Sequence, residues 1–279
     1  MSLRQLQNSR RRTVKRWARV VVFGLVAIAA VLGTLQYINH GSTGHPSALV
    51  PVDGSLRQPW LYFYPSRTTT PAVGVVLFVG NDVAFRAPHQ DLAWRLSGDG
   101  YGVIGLDVRQ FLSTLPEGEP QRDSTFGVEI AKLMARARHE LHADSLPMIV
   151  AGHSFGAEVA LWIARYQPPP RLVGVLELNI SGSGHLFITA ADLLMSEASG
   201  PDSFSTLTLT AQLDPQVRVA LVRGANDPFR HHDPDFVRIG GARLRRFEVP
   251  LAGHGLKSMI VAGPIISRAV RFLMDSTTR

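Results

Sequence analysis

Apolar and polar positions along most of the chain follow two alternating patterns. Short, mainly apolar runs predict buried strands at 60–64, 74–79, 101–106, 148–151, 172–178 and 217–222, and a partly alternating pattern predicts the last strand at 243–249. Between several of them, apolar residues at helical spacing predict helices over 88–96, from Asp123 or Ser124 to Leu141, and over 265–273. Because strands and helices alternate, the pattern predicts an α/β fold built on a mostly parallel, doubly wound sheet.

The run at 148–151 leads directly into Gly152-His153-Ser154-Phe155-Gly156, and apolar residues at helical spacing follow. A serine on such a strand-to-helix turn has its hydroxyl lifted clear of the sheet, which is the arrangement of a nucleophile elbow. The flanking backbones come so close that only small residues fit two positions before and after the serine, and glycines stand there. The motif alone is a weak signal, so the prediction depends on this strand–helix context.

Two further residues complete a candidate catalytic triad. Asp227 follows the strand predicted at 217–222, and His254 follows the last predicted strand. The chain order Ser154, Asp227, His254 is that of α/β-hydrolases, and all three lie at predicted carboxyl ends of strands. An imidazole must take the serine's proton, and a buried carboxylate must orient that imidazole. Asp202 and Asp214 are weaker candidates for the acid.

The developing oxyanion needs fixed N–H donors. One is the N–H of Phe155, and the other is expected in the loop after Val79, at Asn81 or Asp82. The sequence predicts no metal and no cofactor. The pair His231-His232 with Asp233 is a conceivable metal-binding group, but its spacing matches no known zinc motif. His153 is expected to pack beside the elbow.

These residues resemble the α/β-hydrolase family over 60–274. A narrower resemblance, to the bacterial virulence hydrolases of VirJ type, rests on residues 105–111, 152–159 and 181–194. It implies a periplasmic or membrane-anchored serine hydrolase, and some such relatives act on aminoacylated phosphatidylglycerol. The chain departs from that family after its third strand, where Asn-Asp-Val-Ala-Phe at 81–85 replaces a Gly-Asp-Gly-Gly-Trp loop.

The resemblance also supplies two substrate-binding candidates. Arg109 would lie near the substrate entrance, where it can pair with a phosphate, although a solvated arginine is an equally good interpretation. His185 is the second candidate, although histidines in such segments, like His231 and His232, are more often at the surface. The stretch between Leu178 and Val217 is long enough for a cap, and its apolar side chains can cover an acyl chain or serve as core.

The basic charge is concentrated at the N-terminus. Seven of the 29 lysines and arginines lie within residues 1–19, and the remainder balances the 22 acidic residues, so nucleic-acid binding is not expected. Residues 20–38 contain no charge and predict a transmembrane signal anchor, with 1–19 cytoplasmic, 39–59 a linker and 60–279 the hydrolase domain outside the cytoplasm. A cleaved signal peptide or a twin-arginine export signal is the alternative. The chain has no cysteine, so disulfides are excluded.

The sequence therefore predicts an α/β-hydrolase fold with a short cap and an N-terminal transmembrane helix in the bacterial inner membrane. The predicted activity is a serine hydrolase that cleaves a carboxylic ester, with an aminoacylated phospholipid as a candidate substrate. A generic esterase, thioesterase or peptidase is the first alternative. A non-catalytic module that binds partners or assists secretion is the second.

Overall fold

The computed structural model describes residues 21–24, 26–27, 60–69, 71–115, 119–189, 192, 194–260 and 263–275. The chain divides into two units, Met1–Thr43 and Gly44–Arg279. In the first unit, residues 21–24 and 26–27 are helical and exposed. No helix among the described residues is long and apolar enough to cross a membrane. Most of the span predicted at 20–38, and the whole linker at 39–59, lie outside those residues.

The described residues of the second unit form nine strands: β1 (Leu61–Tyr64), β2 (Gly74–Val79), β3 (Tyr101–Leu106), β4 (Met148–His153), β5 (Leu172–Leu178), β6 (Ser183–Gly184), β7 (Phe204–Ser205), β8 (Arg218–Gly224) and β9 (Leu244–Val249). Seven of them form one sheet in the order β1-β3-β2-β4-β5-β8-β9. Only β1 runs antiparallel to its neighbour, and the other pairs are parallel. The short strands β6 and β7 pair separately and antiparallel.

The part of this unit that the structure describes also contains eight α-helices: α1 (Ala87–Gly98), α2 (Val108–Leu112), α3 (Glu119–Glu140), α4 (Phe155–Tyr166), α5 (Thr206–Gln212), α6 (Asp233–Gly240), α7 (Leu256–Ile260) and α8 (Gly263–Met274). They cover both faces of the sheet, and each face has its own apolar core. One core takes side chains from α3, α4 and α5, and the other takes them from α1, α7 and α8. The doubly wound α/β architecture predicted from the alternating pattern is confirmed.

Two details differ from the sequence-based expectation. Helix α3 begins at Glu119, several residues before the predicted start. The apolar cap predicted between Leu178 and Val217 is divided: Leu186 is buried in the core, whereas Leu194 and Met195 are 76% and 55% exposed. Strands β6 and β7 and helix α5 lie in this segment, so part of it is integral to the domain rather than a separate lid.

Candidate active site

The turn at Ser154 is tight and strained. Ser154 has φ 55° and ψ −127°, a left-handed backbone conformation that non-glycine residues rarely adopt. A Cβ on Gly152 would lie 2.0 Å from the carbonyl oxygen of Gly156, and a Cβ on Gly156 would lie 2.1 Å from that of Gly80. Both glycines are therefore required, and the contact with Gly80 brings the loop after β2 against the start of α4.

Three side chains form a continuous hydrogen-bonded chain at the carboxyl ends of β4, β8 and β9. The Oγ of Ser154 lies 2.7 Å from Nε2 of His254, and Nδ1 of His254 lies 3.1 Å from Oδ2 of Asp227. A carboxylate accepts, so Nδ1 carries the proton, and Nε2 is left to accept one from the serine. The exposed alternatives, Asp202 and Asp214, make no bond to His254 in the described part of the chain.

The Asp227 carboxylate is stabilised in its ionised form. Burial alone would raise its pKa, but the hydrogen bond from His254 and the positive charge of Arg223 outweigh burial and hold the pKa below its ordinary value. Its other oxygen accepts the backbone N–H of Phe229 at 2.7 Å, with Nη1 of Arg223 3.4 Å away. Asp227 thus has the charge that a partner for an imidazolium needs.

The backbone around His254 is held by two residues from distant strands. Asn179, which follows β5, donates from Nδ2 to the carbonyl oxygens of His254 (2.6 Å) and Gly253 (3.1 Å), and its Oδ1 accepts the N–H of Gly224 at 2.9 Å. His153 donates from Nε2 to the His254 carbonyl at 2.9 Å. Burial, aided by the charge of His254, lowers the pKa of His153 to about 3. His153 therefore packs beside the elbow as a neutral imidazole, while the role of Asn179 was not predicted.

The predicted oxyanion donors lie on two adjoining elements. Phe155 is the first residue of α4, and the N–H of a first helical residue has no carbonyl partner within its own helix. In the loop after β2, Oδ1 of Asn81 accepts the N–H groups of Val83 and Ala84 at 3.2 and 3.3 Å. Asp82 is buried, and that burial is the main reason why its pKa is raised. The loop is therefore fixed by its own hydrogen bonds beside the elbow.

The structure alters the interpretation of both substrate-binding candidates. Arg109 is exposed and donates from Nη1 to the carbonyl oxygen of Asp82 at 3.0 Å, so it braces the loop after β2. His185 lies in a loop, but it is 3% exposed and is therefore buried rather than at the surface. Its Nε2 lies 2.9 Å from Oδ1 of Asp192, and its ring centroid is 5.8 Å from that of Phe155. His185 thus packs in the interior against Phe155, the residue that follows the elbow serine.

Carboxyl groups gather around this part of the molecule. Glu158, on α4, is buried, and its Oε1 accepts the hydroxyl of Ser181 at 2.6 Å. Burial raises the pKa of Glu158 to about 8, and the negative charges of Asp192, Asp82 and Glu197 contribute in the same direction. The signal available in the sequence was a glutamate on the otherwise apolar helix after the elbow, and it was missed.

A buried ion-pair network lies beneath Asp227. Arg223 is fully buried on β8, and its Nε donates to Oδ1 of Asp233 at 2.8 Å. Asp233 also accepts from Nε of Arg246 at 2.7 Å. Both carboxylate oxygens of Asp233 therefore pair with arginines rather than with the neighbouring histidines. His231 and His232 lie on the short 3₁₀ turn Pro228–His232, and both face Glu197.

The comparisons with known proteins agree with the architecture. No protein-family model and no curated protein match the sequence. Among solved structures, MenH from S. aureus superposes with a TM-score of 0.57 at 13% identity, covering 78% of this chain and 100% of that one. A highly thermostable carboxyl esterase from Bacillus coagulans gives 0.54 at 11%, covering 76% and 94%. A soluble variant of monoglyceride lipase from Saccharomyces cerevisiae gives 0.53 at 14%, covering 76% and 91%.

At these identities the likeness defines the fold, and the second unit has the α/β-hydrolase fold. The hydrogen-bonded geometry of Ser154, His254 and Asp227 is a feature of this chain's own structure and does not depend on these similar structures. The narrower resemblance to VirJ-type hydrolases stays a prediction.

Proposed function

We propose that the protein is a serine hydrolase that cleaves a carboxylic ester through an acyl-enzyme intermediate. The observation that supports this most directly is the unbroken chain from Ser154 Oγ through His254 to Asp227, with separations of 2.7 and 3.1 Å. The strained backbone of the serine is a second support, because strain of this kind persists where the surrounding structure enforces it. A serine bonded only within a turn would need neither feature.

The proposed reaction proceeds in two steps. His254 Nε2 takes the proton from Ser154 Oγ as the oxygen attacks the ester carbonyl carbon, and the resulting imidazolium is stabilised by Asp227. The oxyanion accepts hydrogen bonds from the N–H of Phe155 and from an N–H at Asn81 or Asp82. His254 then returns the proton to the departing alkoxide, which leaves as an alcohol. In the second step, a water gives one proton to His254 as it attacks the acyl-enzyme, and His254 passes that proton to Ser154 Oγ as the carboxylic acid is released.

For the substrate we propose an aminoacyl ester of a membrane lipid. The support is the group of carboxylates at Asp82, Asp192 and Glu197, whose negative charges act together on the buried Glu158 of the elbow helix. Such a group favours a substrate with a positive charge, and the ammonium of an aminoacyl group supplies one. The proposed anchor at 20–38 would keep the domain, outside the cytoplasm, close to lipid-borne esters.

The activity is tested with the variant Ser154→Ala. We expect it to lose labelling by a fluorophosphonate probe and hydrolysis of a short-chain ester, while its melting temperature stays near that of the wild type, because the hydroxyl serves catalysis rather than packing. Ser113→Ala, at an exposed serine, is the matched control and should label normally. A wild-type chain that resists the probe would favour the non-catalytic binding module.

The substrate class is tested in lipid vesicles. The full-length protein should hydrolyse alanyl-phosphatidylglycerol faster than the same lipid with its amino group acetylated, because acetylation removes the positive charge. Equal rates on both lipids, with intact probe labelling, would refute the aminoacyl substrate while leaving the serine hydrolase in place. N-terminal sequencing of membrane-purified protein tests the anchor, since a start beyond residue 38 indicates a cleaved signal.

A further inference from the structure

Two histidines and a glutamate converge away from the triad. His231 and His232 are adjacent on the turn that follows Asp227, and Glu197 comes from the segment between β5 and β8. One ligand atom from each residue lies within 4.8 Å of the other two. The side chains of Glu197, His231 and His232 are 35%, 63% and 18% exposed, so an ion in solvent can reach them.

The tautomer of His231 is fixed by the backbone. Its Nδ1 lies 2.9 Å from the carbonyl oxygen of Pro228, and a carbonyl only accepts, so Nδ1 carries the proton. In the neutral ring, Nε2 then presents a bare lone pair, and it lies 3.9 Å from Oε1 of Glu197. A lone pair and a carboxylate oxygen that face each other repel unless a positive charge lies between them. In metal sites, the histidine nitrogen that does not bind the metal commonly donates its proton to a backbone carbonyl or a carboxylate. Nδ1 of His231 does this with the carbonyl oxygen of Pro228.

The second histidine meets the same oxygen. Nε2 of His232 is in close contact with Oε1 of Glu197, and the two imidazole rings are tilted by 42° with centroids 4.0 Å apart. The His232 ring is also held in place, because it packs so closely on Gly182 that a Cβ there would lie 2.6 Å away.

We propose that Glu197, His231 and His232 form a binding site for a divalent transition-metal ion such as Zn²⁺. Two imidazole nitrogens and one carboxylate oxygen suit zinc, and a water would complete four-fold coordination. Tetrahedral ligand atoms about 2.0–2.1 Å from zinc are separated by about 3.4 Å, so the cluster needs only small side-chain shifts. Calcium and magnesium prefer all-oxygen ligands and do not fit this set. The site differs from the pairing of His231-His232 with Asp233 suggested by the sequence, because Asp233 binds two arginines.

Occupancy of this site would tie two segments together. The segment with Glu197 belongs to the connection between β5 and β8, and the histidines stand immediately after the triad acid Asp227. A bound ion would therefore cross-link that connection to the turn that positions the acid. Because metal binds the assembled site and not the unfolded chain to the same degree, binding should raise the melting temperature.

The experiment is a zinc titration of the full-length chain, without a histidine tag and after dialysis against a chelator. We expect about one equivalent to bind and the melting temperature to rise by several degrees. Cobalt substitution should give the visible absorption of a four-coordinate site. Glu197→Gln and His231→Ala should each weaken zinc binding at least tenfold, while circular dichroism checks that both variants are folded.

His139→Ala is the matched control, because His139 forms an exposed pair with Asp144 at 3.3 Å and belongs to no three-residue cluster among the described residues. Its zinc affinity should equal that of the wild type. Absence of stoichiometric binding by the wild type, or equal affinity in Glu197→Gln, His231→Ala and the control, would overturn the proposal. The readouts are binding and stability, so they are independent of whether Ser154 is catalytic.

Discussion

Asn179 offers the sharpest test of how the site is held together. It is fully buried, its side chain bonds three backbone groups, and two of these belong to the loop of the proposed catalytic histidine. Asn179→Asp changes the amide to a group of the same shape that still accepts from Gly224. It loses the two bonds donated to the carbonyl oxygens of Gly253 and His254, and it turns a carboxyl oxygen towards them.

The magnitude follows from counting bonds. At about 1 kcal/mol for each net hydrogen bond, Asn179→Asp should destabilise the domain by about 2 kcal/mol or more. Asn179→Ala loses all three bonds, which costs about 3 kcal/mol. It also places alanine at φ 54°, where a left-handed backbone costs roughly 1–2 kcal/mol more. The free energy of unfolding should therefore fall by about 4 kcal/mol. Asn179→Gly relieves the backbone strain but not the lost bonds. Its stability should therefore lie above that of the alanine variant.

The assay combines urea denaturation with hydrolysis of a soluble ester by the folded fraction. Because Asn179 holds the backbone carbonyl of His254 itself, we expect kcat to fall at least about tenfold in Asn179→Asp even where the protein is fully folded. Asn226→Asp is the matched control, since the side chain of exposed Asn226 makes a long 3.4 Å bond to the Leu251 carbonyl, while its backbone N–H bonds Ala252 and is unaffected by the substitution. If Asn179→Asp unfolds at the wild-type urea concentration and keeps the wild-type kcat, the proposed bracing role is wrong.

Three further predictions concern the residues around the triad. Gly156→Ala, whose Cβ would lie 2.1 Å from the Gly80 oxygen, should cost roughly 3 kcal/mol in urea denaturation, whereas Gly255→Ala, with open space around its Cβ, should be nearly neutral. Burial raises the pKa of Glu177 from 4.5 to about 8. Between pH 4.5 and about pH 8, the folded chain thus keeps a proton on Glu177 that the unfolded chain releases. The free energy of unfolding should therefore fall as the pH rises through this range. Glu177→Gln should flatten that fall, and an unchanged pH profile would contradict the assignment. Arg223→Lys should lower both stability and kcat/KM, because lysine cannot reproduce the planar contacts to two buried carboxylates. A variant with wild-type kinetics would show that the arginine has no part in positioning the acid.

The sheet was predictable because most of its strands are mainly apolar runs. Strands β2, β3 and β5 have the bounds predicted from the sequence, since both faces are covered and each strand is followed directly by glycine or a polar residue. The start of α3 was missed because its first turn contains Glu119 and Pro120, which break the apolar periodicity although they suit a helix N-terminus. Periodicity alone cannot locate a polar first turn.

The residues of the candidate triad could be singled out because each stands at a recognisable turn after a strand. The residues that hold them could not, since their partners are far away in sequence: Asn179 and His254 are separated by 75 positions. No local pattern encodes such a pairing. Two signals were nevertheless present, because Glu177 and Arg223 are charged residues inside otherwise apolar strands. A charge in a buried strand needs a partner, and this would have directed attention to the layer beneath the triad.

The buried arginine explains how Asp227 can be both ionised and available. Arg223 gives its short hydrogen bond to Asp233 at 2.8 Å and approaches Asp227 only at 3.4 Å, on the side of Oδ1. That oxygen is already occupied by the N–H of Phe229. Oδ2 is therefore left for His254, while the positive charge nearby still lowers the pKa of the carboxyl group. A direct hydrogen bond from the guanidinium to Oδ2 would compete with the imidazole, so the sharing of Arg223 between two carboxylates suits the role proposed for Asp227.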